Sequence, residues 1–117
     1  MKIGLHGRDF KAKSSLFIEK LLGQLAHYSS EIWLSSRFVK QVESSALNRV
    51  KFKTFELGDN LKSLDFLFSL GGDGTMLESV TYVGKAEVPI LGITSKWLLD
   101  KIDNKNKKLI LYLYSIF

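Results

Sequence analysis

Between Asp65 and Leu77 the chain reads DFLFSLGGDGTML. An almost continuously apolar run, Asp65 to Leu70, breaks into three glycines gathered round a single acid. An apolar run without alternation is the pattern of a strand covered on both faces, as in a parallel sheet flanked by helices. The glycine turn then leads into a segment of helical character, Thr75 to Tyr82, whose Met76, Leu77 and Val80 are expected to form its buried side. Strand, glycine turn and helix in immediate succession restrict this region to the α/β class.

The rest of the chain repeats that alternation. Lys2 to Leu5 is a short apolar strand ending near Gly7. Ser14 and Ser15 offer an N-cap, and Phe17, Ile18, Leu21, Leu22, Leu25 and Ala26 draw one apolar stripe down the helix that follows. Glu31 to Leu34 (EIWL) is a second strand, and Ser35 and Ser36 cap a weaker helix over Phe38 to Leu47. Lys51 to Leu57 alternates charged and aromatic positions, which suits a half-wet strand at a sheet edge. Gly58, Asp59 and Asn60 form a turn, and Val88 to Ile93 (VPILGI) is a buried strand with Pro89 at its entrance. Over 93 residues this is a right-handed parallel α/β sheet.

Composition removes several functional classes. Cysteine is absent, which rules out disulfides and thiolate chemistry and points to a reducing, cytoplasmic setting. The first residues lack a secretory core, and no apolar run reaches the roughly 20 residues of a membrane helix. The formal charge is +5, yet through Ile93 twelve Lys and Arg face ten Asp and Glu, and the last 24 residues add five Lys to two Asp. No basic stripe interleaved with aromatics is present, so nucleic acid is not an expected partner. His6 and His27 stand alone, without a third partner at metal spacing; each is expected to be structural or at the surface, and no residue is assigned as a metal ligand.

Asp73 is the position that calls for chemistry. In open parallel sheets ligands gather beyond the carboxyl ends of the strands, where Gly71 to Thr75 lies. Gly71, Gly72 and Gly74 let main-chain N–H groups converge on phosphate oxygens. A carboxylate among them repels an anion strongly at short range, so something cationic or protic must accompany it. It either holds Mg²⁺ that bridges phosphates or accepts a proton from an attacking hydroxyl. The competing reading is a tight turn in which Asp73 only caps the helix. GxxxxGK[ST], GxGxxG and the protein-kinase motifs are all missing.

SLGGDGTML followed by VPILGI resembles the ATP-dependent NAD kinase family over roughly Met1 to Ile93. GGDGT alone is shared with lipid kinases of the diacylglycerol and sphingosine type; Met76, Leu77 and the Pro89 to Ile93 strand favour NAD kinase. The resemblance implies a Rossmann-like parallel sheet with flanking helices. It also implies transfer of the γ-phosphoryl group of ATP to the 2′-hydroxyl of the adenosine ribose of NAD, giving NADP. Asp73 would be the general base, Gly74 would contact the same nucleotide, and Gly71, Gly72 and Thr75 would shape the turn beside the phosphates. Mg²⁺ or another divalent cation would screen those phosphates, and the full-length protein would be a homo-oligomer. Arg8, on the same rim of the sheet, is a candidate phosphate contact, weighed against a solvated surface arginine.

After Ile93 the likeness ends. The family pattern continues Asn-Thr-Gly-x-Leu-Gly-Phe-Leu, whereas here Thr94 stands at the Asn and no glycine follows. The family's second, β-rich domain is missing, which leaves either an incomplete kinase or a non-catalytic nucleotide-binding fragment. Residues 1–93 are thus expected to form the kinase-like domain and 94–117 an atypical tail, without Gly, Ala, Val, Pro, Glu or Arg. Such a composition is that of an out-of-frame or replaced terminus; LILYLYSIF at its end otherwise suits an edge or partner-binding strand. Coding DNA read in another frame beyond Ile93 is expected to encode the Asn-Thr-Gly continuation, and its absence there rules the frameshift out.

Overall fold

A computed structural model describes residues 1–8, 15–29, 31–42, 44–48, 50–71 and 73–93; within these, the side chains of 15–17, 28, 44, 46, 73 and 93 lie outside the description. Five parallel strands form one sheet: β1 (Lys2–Gly7), β2 (Glu31–Ser35), β3 (Lys53–Phe55), β4 (Phe66–Leu70) and β5 (Ile90–Ile93), in the order β3-β2-β1-β4-β5. Helix α1 (Ser15–Tyr28) connects β1 to β2, α2 (Ser36–Gln41) and α3 (Ser44–Leu47) connect β2 to β3, and α4 (Asp73–Val83) leads from β4 towards β5, while β3 and β4 are joined by turns. The expected α/β sheet is therefore present.

Each strand sorts its side chains by the two-residue period. On one face Ile3, Leu5, Ile32, Leu34, Phe66, Phe68 and Leu70 pack with Ile18, Leu21, Leu22 and Leu25 of α1 and Phe38 of α2. On the other, Leu67 joins Phe55, Leu61, Leu64, Val83 and Val88. β4 is buried at all five positions, which is why it reads as an unbroken apolar run. Its neighbour β5 enters just after Pro89, whose carbonyl accepts from Leu67 N at 2.9 Å while the proline's lost donor falls outside the strand. β3 is the outer strand on the other side, as its alternation predicts, and is only three residues long.

Two local expectations are corrected. The helix predicted over Phe38 to Leu47 is two pieces: α2 starts at Ser36 with Ser35 as its cap, accepting from Phe38 N at 3.1 Å, and ends at Val42, whose backbone is extended (φ −93°, ψ 138°). β-branched Val42 carries little helix propensity and leaves the helix there, and Ser44 opens the second piece, α3. The second correction concerns α4. Leu77 and Val80, expected inside, are 70% and 53% exposed, and the buried positions are Thr75, Ser79 and Val83. In α1, Ile18, Leu21, Leu22 and Leu25 are buried as predicted while Ala26 is exposed; the cap at Ser14 and the Phe17 side chain lie outside the described residues.

The two helices should respond differently to truncation. Leu25→Ala is expected to cost about 2–5 kcal/mol, whereas Leu77→Ala should change stability by less than about 0.5 kcal/mol. Urea unfolding of the two variants measures the contrast, and equal losses would contradict this orientation of α4.

Candidate functional site

The strand order turns at β1, which pairs with β2 on one side and β4 on the other. At the carboxyl ends of β1 and β4 lies the switch point where open parallel sheets accept ligands. Gly7 and Leu70 are partners across that junction, so Arg8 and Gly71 leave the sheet side by side. The arginine and the glycine turn, 63 residues apart in the chain, share one rim as the sequence reading expects.

Gly71 has φ +142°, a conformation that side chains rarely adopt, and a Cβ there would collide with the Thr75 hydroxyl. The glycine thus lets the chain reverse tightly over the buried Thr75. α4 begins at Asp73, placing the acid in the first turn; Gly72 and the Asp73 side chain lie outside the described residues. The N-terminal turn of an α-helix presents N–H groups without intrahelical partners and the positive end of the helix dipole. A Cβ at Gly74 would strike the Arg8 guanidinium, so the arginine lies directly against that first turn.

Behind this rim stands a polar network that the sequence reading did not anticipate. His6 is fully buried on β1. Its Nδ1 lies 2.7 Å from Ser35 Oγ, and its Nε2 lies 2.8 Å from Glu78 Oε1. An ionised carboxylate only accepts, so the neutral imidazole donates from Nε2 to Glu78 and accepts the Ser35 hydroxyl proton at Nδ1, while Ser35 Oγ also accepts from Phe38 N. Glu78 Oε2 accepts from Arg8 Nη1 at 2.6 Å and Arg37 Nη1 at 3.0 Å. Tyr82 packs its ring on His6, 4.6 Å between centroids, and Ser79 donates to Thr75 O at 3.0 Å.

The electrostatics agree with those assignments. Burial pushes the His6 pKa below its ordinary value; the Glu78 carboxylate pulls upward without cancelling this, and Arg37 and Arg8 add to the lowering. For Glu78, burial is the largest single influence and acts upward. The His6 hydrogen bond and the positive charges of Arg37 and Arg8 are the chief influences that outweigh it, holding the carboxyl below the usual range. Arg8 is accordingly an anchored, partly buried arginine and not a solvated one. His6 is structural, as expected, but it does not stand alone. His27 is exposed near the end of α1. A groove of about 380 Å³ elsewhere is lined by residues 58–62 and 81–86 and includes none of the glycine turn.

A family model described as the ATP-NAD kinase N-terminal domain matches residues 19–95. The chain belongs to the NAD kinase family. Among its relatives, the NAD kinase of Christiangramia forsetii is 35% identical over 100 residues, covering 81% of this chain and 33% of that protein. The NAD kinase of Cytophaga hutchinsonii is 34% identical over 96 residues, with coverage of 81% and 33%. That of Flavobacterium johnsoniae is 28% identical over 114 residues, or 95% of this chain and 39% of the relative. The chain thus spans about a third of the length of the curated relatives it matches. The family model includes Gly71 to Thr75 and begins at residue 19, downstream of β1; the roles of His6 and Arg8 rest on geometry. The lipid-kinase alternative, open on GGDGT alone, finds no support in these relatives. Residues 94–117 lie outside the described structure, and among the described residues no helix is long and apolar enough to cross a membrane.

Neutral buried His6 gives a pH signature. With its folded pKa below the unfolded value, the unfolded chain binds more protons in that window, so this stabilisation is full above about pH 6.5 and is lost as pH falls through the folded pKa. Urea midpoints of the wild type are expected to drop between pH 7.5 and 5.5, and the drop should be smaller in His6→Asn. Parallel pH curves for the two proteins would show that His6 carries no such linkage.

Proposed function

We propose that this chain is the nucleotide-binding part of an NAD kinase, acting in the cytoplasm on ATP and NAD, and that its longer form assembles as a homo-oligomer. The observation that carries the reading is GGDGT seated at the β4–α4 junction, on the switch-point rim, in a chain of this family. In the reaction the 2′-hydroxyl of the adenosine ribose attacks the γ-phosphorus of ATP, the bridging bond to the β-phosphate breaks, and ADP leaves. Asp73 takes the hydroxyl proton, which then passes to solvent.

The chain's other residues bind and orient. Gly71, Gly72 and Gly74 bring main-chain N–H groups to phosphate oxygens, with Thr75 fixing the turn from below and Arg8 beside Gly74 offering a guanidinium. Mg²⁺, or another divalent cation, enters with the phosphates as part of the nucleotide substrate and screens their charge. Glu78 does not fit as its ligand, because its oxygens are taken by His6, Arg8 and Arg37. Among the described residues no group of three His, Cys, Asp or Glu side chains converges as a ligand set.

Phosphoryl transfer depends mostly on positioning, and this chain spans a third of its relatives. The 117-residue chain by itself is therefore expected to bind ATP and NAD with little or no turnover. In the longer protein, Asp73→Asn should lower kcat by about 10²–10⁴-fold while ATP affinity changes little. NADP formation by wild type and variant decides the matter: equal rates would remove Asp73 from the chemistry, and no NADP from either would remove the kinase.

A further inference from the structure

Glu78 sits five residues beyond Asp73 and has no role in the reaction as described. Its carboxylate nevertheless gathers groups from two adjacent strands: His6 from β1, Arg8 just beyond β1, and Arg37 at the start of α2 after β2. Glu78 itself comes from α4, which follows β4. One side chain thus ties together the carboxyl ends on both sides of the switch point.

The arrangement is more specific than a surface ion pair. Both guanidinium groups place Nη1 within 3.0 Å of the same oxygen, Oε2, so they lie next to each other despite their like charge. The other oxygen is held by a fully buried histidine, whose remaining nitrogen is held by a buried serine that caps α2. The carboxylate therefore cannot swing away from the rim without leaving buried polar atoms unpaired. Arg8 is fixed against Gly74, in the first turn of α4. Arg37 spends Nη1 on Glu78, the one hydrogen bond its guanidinium makes among the described residues, and its side chain is 55% exposed. A guanidinium carries five N–H donors in a fork that matches phosphate.

We infer that Glu78 is a positioning residue that sets Arg8 and Arg37 side by side at the glycine turn, and that Arg37 is a second contact for the nucleotide's phosphates. This rests on the nucleotide-binding reading above and extends it further along α4 and onto α2. Glu78 acts through the arginines and touches no substrate; replacing it leaves two guanidinium groups unheld and mutually repelling, so the loss falls on phosphate recognition and spares the nucleoside.

Binding of ATP and of adenosine to the 117-residue chain, read by ligand-observed NMR, separates these effects. Arg37→Ala, a change at an exposed position, and Glu78→Gln should each weaken ATP by about tenfold, as expected for losing a charge-assisted contact, while adenosine changes less than about twofold. Arg37→Lys, which keeps the charge without the fork, should recover part of the loss. Should Glu78→Gln fail to fold, Arg37→Ala alone decides. ATP binding unchanged in Arg37→Ala, or ATP and adenosine weakened equally, would overturn this inference while leaving the nucleotide reading intact. A wild-type chain that binds neither ATP nor NAD would overturn that reading, and the roles of Glu78 and Arg37 with it.

Discussion

The hydrogen bond from His6 to Glu78 is the constraint around which the upper half of this domain is arranged. A histidine in the central strand of a parallel sheet is buried whatever else happens, and both its nitrogens must find partners there. Ser35, from the adjacent strand, meets one. The other can be met only from above the sheet, and α4 supplies a carboxylate for it. With the acid fixed in that place, a second oxygen remains to be neutralised, and Arg8 and Arg37 converge on it. Satisfying one buried imidazole thus settles which way α4 is turned and where two surface arginines come to rest.

The same constraint explains the inverted look of α4. Across its carboxyl end the sheet presents His6 beside Ser69, its partner on β4, and Ser35 on the other side, all buried. A helix laid on such a row needs polar groups facing down. Thr75, Glu78, Ser79 and Tyr82 provide them, while Leu77 and Val80 turn outward. Apolar packing extends along the lower part of that face at Tyr82 and Val83, where the cluster of Phe55, Leu61, Leu64, Leu67 and Val88 closes over it. Helix and sheet therefore meet through two kinds of contact, polar at the rim and apolar beneath it.

Much of this was legible in the chain itself. β4 declared its position because five consecutive buried residues leave no alternation to misread, and the glycines after it marked the turn where Gly71 does adopt a positive φ. The edge position of the third strand followed from its wet alternation. The orientation of α4 was misread because helical spacing of Met76, Leu77 and Val80 reports amphipathicity without saying which side is inside, and the opposing polar row comes from strands far away in sequence. Glu78 and Arg37 were missed for a related reason. Nothing local distinguishes them from surface charges, and only the pairing of β1 with both β2 and β4 brings them together. One signal was available: a histidine inside an apolar strand demands a polar partner, and an acid one turn and a half past a glycine bend was a fair place to seek it.

The strand order also has a consequence in time. β1 lies at the centre, yet its partner β4 begins 64 residues later, and every pairing in the sheet is parallel, so each must wait for a crossover to close. The β1, α1, β2 unit has what it needs to collapse early. The rim does not: Arg8 and Arg37 are both synthesised long before the carboxylate that unites them. The rim that Glu78 ties together is consequently among the last features this polypeptide completes as it folds.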